Sequence, residues 1–110
     1  MKKEYRVRKT QEFQRIMQKK QFVVNQSFSL YYDSKQEEQG RFGVSCSKKL
    51  GNAVVRNKTK RQVRMMLLEL EAIVFPFDGI VIVRQGYFSL SYEENKKNLD
   101  SLLKKVKIEK

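Results

Sequence analysis

The chain has 110 residues, 24 of them Lys or Arg against 12 Asp or Glu, for a net charge of +12 and no histidine. With 40% hydrophobic and 11% aromatic residues it has enough apolar material for one compact core, which excludes wholesale disorder. One cysteine and no histidine exclude a zinc site of the usual Cys/His kind, an internal disulfide and a histidine-dependent nucleophilic triad.

The basic start, Met1 to Lys9, is followed by no apolar segment of the signal-peptide kind. Thr10 to Met17 then reads as a short helix, with Thr10 as its N-cap and Phe13, Ile16 and Met17 as an i, i+3, i+4 stripe. Phe22 to Asp33 reads as one strand, with Phe28, Leu30 and Tyr32 on one face and Ser27, Ser29 and Tyr31 on the other. The polar segment Ser34–Gly40 is expected to be a hairpin loop leading into a second strand, Arg41–Ser47. That strand would place Phe42, Val44 and Cys46 together.

After a turn at Lys48–Asn52, a long helix is expected to start at Asn52, at Asn57 or between them, either asparagine being a suitable cap, and to run to about Ile73. Its apolar stripe is Thr59, Val63, Met66, Leu67, Leu70 and Val74, and Pro76 with Asp78-Gly79 reads as its stop. Ile80–Val83 is a continuous apolar run, the pattern of a strand buried on both faces. Ser91-Tyr92-Glu93-Glu94 matches a capping box and opens a last helix carrying Leu99, Leu102, Leu103 and Val106. The apolar runs are too short to span a bilayer, so no membrane partner is expected and the reading is a cytoplasmic protein. The order αββαβα, with room for one further short strand, makes residues 1–110 a single α+β domain.

Charge is distributed unevenly. Residues 1–64 hold 17 basic and 5 acidic side chains, whereas residues 65–110 hold 7 of each. Between Arg41 and Arg64 there are eight basic residues and no acidic one. On the long helix, at about 100° per residue, Arg56, Lys60 and Arg64 stack along one side with Asn57 and Arg61 beside them. Like charges at i, i+4 repel by a few tenths of a kcal/mol per pair. A row of them with no acid nearby points to a polyanion, with Arg supplying planar forks for phosphate and Lys point charges. The plain alternative is an amphipathic helix with a basic solvent face, and charge alone does not separate RNA from DNA. No catalytic residue and no metal site emerges. Glu69, Glu71 and Asp78 are the only carboxylates worth naming, and Glu69 and Glu71 cannot share one side of a helix.

Ala53 to Arg64 resembles the arginine–asparagine–arginine signature of the bacterial ribonuclease P protein subunit. Phe42 to Asn52, Glu12-Phe13 and Tyr92 to Lys97 also resemble that family, so the likeness extends over nearly the whole chain. It implies a two-layer sandwich akin to a ribosomal-protein domain, with a left-handed βαβ crossover. It implies a subunit that binds no cofactor itself and requires no protein partner. The catalytic RNA would carry out Mg²⁺-dependent removal of the 5′ leader from precursor tRNA. Contact with that RNA is implied for Arg56, Asn57, Lys60, Arg61 and Arg64, extended by Lys48 and Lys49. A cleft between the first helix and the sheet is implied for the single-stranded leader. Phe13 and Tyr31 could offer stacking surfaces there, although Phe13 suits the core equally well. Met17 stands where the family often has an aromatic residue, a departure that leaves a polarizable contact in place of a ring. The alternative function is a structural ribosomal or ribosome-associated protein, which shares charge and fold but needs no such cleft.

Overall fold

The structure, a computed structural model, describes residues 10–35 and 40–106. The basic start, the acidic pair Glu37-Glu38 and the last four residues lie outside the described residues. Three helices and four strands follow in the order α1 (Thr10–Gln18), β1 (Phe22–Val24), β2 (Phe28–Ser34), β3 (Phe42–Ser45), α2 (Ala53–Glu69), β4 (Phe77–Val83) and α3 (Tyr92–Lys105). The strands form one sheet in the order β1-β2-β4-β3.

Two strand expectations are corrected. Phe22–Asp33 is two strands, because the Asn25 side chain folds the chain back: its Oδ1 accepts from the Ser27 and Phe28 amides, both at 3.1 Å. This Asx-type turn pairs Phe22 with Tyr31 and Val24 with Ser29 across an antiparallel hairpin. The extra short strand is β1. Nor do β2 and β3 pair as the hairpin expected across Ser34–Gly40, of which residues 36–39 lie outside the described residues, since β4 inserts between the two strands, antiparallel to the first and parallel to the second. β4 carries the longest apolar run of the four strands, and the central position lets it bury side chains on both faces.

Register divides the sheet into two faces. Phe28, Leu30, Phe42, Phe77, Val81 and Val83 meet Val63, Met66, Leu67, Leu99, Leu102 and Leu103 of α2 and α3 in the main core. The opposite face carries Tyr31, Asp33, Asp78 and Ile80, and α1 lies on it, with Ile16 and Ile80 fully buried. Arg15 anchors α1 there, donating to Asp33 at 3.2 Å and to Asp78 at 2.6 Å. Arg41 adds a bidentate pair to Glu12 at the same end.

Asn52 is the N-cap of α2, its Oδ1 accepting from the Val55 amide at 3.0 Å, so Asn57 lies inside the helix. The helix stops at Glu69, short of Ile73, because Glu71 turns left-handed (φ 52°) and a 3-10 turn, Ala72–Val74, follows. Val74 is therefore on the surface, not in the apolar stripe. Asp78-Gly79 is not a stop signal but part of β4. A Cβ at Gly79 would sit 3.0 Å from both the Phe42 ring and a Leu30 methyl, so glycine there lets the two side chains close over the strand. α3 begins with the full Ser91/Glu94 capping box, and the cap hydrogen bonds hold the Glu94 carboxyl below its ordinary pKa. A buried polar cluster ties α3 to the β1–β2 turn. Ser27 Oγ donates to Asn95 Oδ1 at 2.6 Å, and Asn98 Nδ2 donates to Ser27 Oγ at 2.8 Å.

Candidate nucleic-acid interface

Two surfaces have the chemistry of a nucleic-acid site. The first is the outward side of α2, held in place by the burial of Thr59, Val63, Met66 and Leu67 on the opposite side of the helix. Asn57, Lys58, Lys60, Arg61 and Arg64 border a shallow surface groove. Asn57, Lys58 and Arg61 are exposed on its crest, while Lys60 and Arg64 are half-buried along its flank. Lys58, outside the i, i+4 row of Arg56, Lys60 and Arg64, projects at the other edge of the same crest.

Arg56 stands apart from this groove. It is half-buried on the side of the helix facing Cys46, and its Nε is enclosed without a hydrogen-bond partner among the described residues. Burial raises the pKa of the Cys46 thiol, with Lys60 and then Arg56 pulling it the other way. Lys48 and Lys49 are exposed on the 3-10 turn that Ser47 caps just before α2, so they continue the positive surface beyond the helix N-terminus. Among the described residues no carboxylate forms an ion pair with Lys48, Lys49, Arg56, Lys58, Lys60 or Arg61. Three of the carboxylates of the described residues are engaged elsewhere. Glu69 accepts from the Tyr92 hydroxyl and approaches Lys96 at 3.7 Å, and Asp78 and Asp33 hold Arg15. Lys58, Lys60 and Arg61 of α2 thus keep their charge available for phosphates.

The second surface is the part of the α1-side sheet face that α1 leaves open. Phe13 and Met17 are half-buried on α1, and Tyr31 is half-buried on the same side of the sheet, two residues from the Asp33 that holds Arg15. Phe22, outside the sequence-based set, stacks on Tyr31 with ring centroids 5.0 Å apart and an interplanar angle of 27°. It is 51% exposed. Val24, Ser29, Gly43, Ser45 and Ile82 share this face by register, none of them fully buried. This sheet face thus carries a half-exposed aromatic pair among apolar and small side chains, a surface of the kind on which unpaired bases can stack. Phe22 was legible as apolar but not as a partner of Tyr31, because that pairing needs the turn at Asn25.

No described side-chain cluster suits a hard dication. Asp33 and Asp78 are the carboxylates drawn together by the sheet, and all four oxygens are taken: Arg15 binds one of each, and the Ser34 and Arg41 amides bind the others at 2.9 Å. Among the described residues no group of three potential metal ligands converges, and no helix is long and apolar enough to cross a membrane.

The ribonuclease P family profile matches residues 1–107. The ribonuclease P protein component of Streptococcus agalactiae is 44% identical over 104 residues, covering 94% of this chain and 95% of that one. That of Enterococcus faecalis is 46% identical over 110 residues, covering 98% and 93%. Among solved structures, the ribonuclease P protein of Staphylococcus aureus superposes with a TM-score of 0.80 at 39% identity, covering 91% of this chain and 93% of that one. The Thermotoga maritima protein gives 0.82 at 28% identity, covering 93% and 97%. Matches of this length, in sequence and in fold, establish that the chain belongs to the family of ribonuclease P protein components.

Proposed function

We propose that this chain grips the catalytic RNA of ribonuclease P through the crest of α2 and holds the single-stranded 5′ leader of precursor tRNA on the sheet face beside α1. The observation that carries the reading is the line of α2 cations, free of carboxylate partners at Lys58, Lys60 and Arg61, on the side of the helix away from the core. A folded RNA concentrates phosphate charge, and these side chains offset it without competition from within the protein. Lys48 and Lys49 lengthen the same positive surface, and Arg56 contributes charge from its partly enclosed position.

The aromatic sheet face gives the subunit a role beyond charge neutralisation. Tyr31 and Phe22 present a stacked aromatic pair on the sheet face against which α1, with its half-buried Phe13 and Met17, packs, so unpaired bases can lie on a surface tolerant of sequence. A purely structural ribosomal protein would have no need of the exposed Phe22–Tyr31 platform, which favours the leader-binding reading. The hydrolysis itself is assigned to the RNA, to which bound Mg²⁺ would supply Lewis-acid chemistry. The protein binds, orients substrate and screens phosphate repulsion, thereby lowering the Mg²⁺ concentration at which the RNA works.

Reconstitution with the catalytic RNA of the same genome tests this. At low Mg²⁺, leader removal should require both components, and leader-bearing precursor should bind the holoenzyme more tightly than leaderless tRNA. Metal-dependent cleavage by the purified protein alone, or equal affinity for the two RNAs, contradicts the proposal.

A further inference from the structure

The crest of α2 is not uniformly cationic. Val54, Met65 and Leu68 line the same groove as Lys58, Arg61 and Arg64, and they are 76%, 50% and 57% exposed. At 100° per residue these six side chains fall within an arc of roughly 120°, and Val54 to Leu68 spans about 21 Å at 1.5 Å per residue. Single exposed apolar residues need no explanation, but three in one groove interleaved with cations form a mixed surface with a direction. Apolar groups lie at both ends of the stripe, with Arg61 between them.

We propose that this stripe docks on a looped or junction segment of the catalytic RNA, where splayed nucleobases rest on Met65, Leu68 and Val54 while Lys58, Arg61 and Arg64 contact the flanking phosphates. The inference deepens the assignment of α2 as the RNA-binding helix and rests on it. An uninterrupted A-form duplex offers phosphates and 2′-hydroxyls along its shallow groove but no base faces. Against such a surface the three apolar side chains would meet charged, hydrated groups and contribute nothing. Unstacked bases offer the apolar faces that would cover them. A second copy of the protein fits poorly, because a symmetric contact through this stripe would bring Lys58, Arg61 and Arg64 against their own copies.

Charge and apolar contacts leave different signatures in binding, which separates the proposal from the assignment beneath it. Each lost phosphate contact makes the dependence of affinity on salt shallower, whereas a lost base contact lowers affinity at every salt concentration without altering the slope. The probe is the cognate catalytic RNA, titrated with wild type, Met65→Ala, Leu68→Ala, the double variant, Met65→Leu and Arg61→Ala. The double variant should weaken binding on the order of tenfold with an unchanged slope. Met65→Leu, which keeps an apolar contact, should bind like wild type. Dimethyl sulfate should modify unpaired bases in the complex with the double variant that wild type protects, while backbone protections persist. All three exposed side chains can be truncated without opening the core, so the melting temperature serves as a fold control.

If Arg61→Ala flattens the salt slope while the double variant binds like wild type, the α2 interface stands and the base-docking proposal falls. If neither set of variants changes binding, the interface assignment falls with it. Self-association of the free wild-type protein that the double variant abolishes, with RNA affinity intact, would assign the stripe to a second copy and overturn the proposal.

Discussion

Arg15 and Asp78 are 63 positions apart in the chain, yet the Arg15 guanidinium donates to the Asp78 carboxylate at 2.6 Å and locks α1 across the sheet. The Asp78 side chain is 3% exposed and the second acceptor, Asp33, is 11% exposed, so the arginine is the counter-charge for two carboxylates withdrawn from water. The same contact sets where Phe13 and Met17 stand relative to Tyr31.

Removing that counter-charge should be costly. Arg15→Ala is expected to destabilise the fold by about 2–4 kcal/mol, the upper end being reduced because Arg15 itself is partly exposed. Adding Asp78→Asn should recover part of the loss, since an asparagine oxygen still accepts from the Arg41 amide. Urea unfolding of the single and double variants measures both effects.

On α2, Arg61→Ala and Arg64→Ala should each weaken affinity for the catalytic RNA. Each should also make the slope of log affinity against log salt shallower by roughly one unit per lost phosphate contact. Titrations over a range of KCl concentrations give the slopes; wild-type slopes in both variants would move the contact surface away from this helix.

Phe22→Ala should lower the affinity of the holoenzyme for leader-bearing precursor tRNA by about 1 kcal/mol, at the low end of base stacking on aromatic side chains. Leaderless tRNA should bind unchanged. Tyr31→Ala should cost more, because it removes both a stacking surface and the ring on which Phe22 rests. Equilibrium binding with graded leader lengths locates the nucleotide concerned.

Alkaline pH should weaken the packing of α2 near Tyr87. Burial, with a smaller push from Cys46, raises the Tyr87 phenol from 10.0 to about 12, and its hydroxyl donates to Gln62 Oε1 at 2.6 Å. Because the folded state holds the proton more tightly, this contribution is whole below pH 10 and is lost as pH rises from 10 towards about 12. Tyr87→Phe should be less stable at neutral pH by about 1 kcal/mol, for the lost hydrogen bond. Its stability should then decline less steeply than wild type above pH 10, as denaturant melts at stepped pH would record.

Local chemistry made much of this protein legible in one dimension. The Ser91 capping box, the buried run of β4, the apolar face of α2 and the acid-free cationic stretch ahead of Met65 depend on side chains within a few residues of each other. Helix caps and periodicity act over that range, and net charge needs no structure at all. Family resemblance rested on the same local strings.

Tertiary structure decided the rest. Whether β2 pairs with β3 or admits β4 between them is a competition among strands that are neighbours only after folding, and the most apolar strand took the centre. Asp78-Gly79 looks like a turn until the Phe42 ring lies over the glycine and Arg15 meets the aspartate. Glu71 ends α2 with no glycine to announce it. Which arc of α2 faces outward depended on the docking of Val63 and Leu67, and that rotation brought Lys58 onto the crest and turned Arg56 towards Cys46. Phe22 met Tyr31 only because Asn25 folded the hairpin, since contacts between strands arise from pairing that no local window contains.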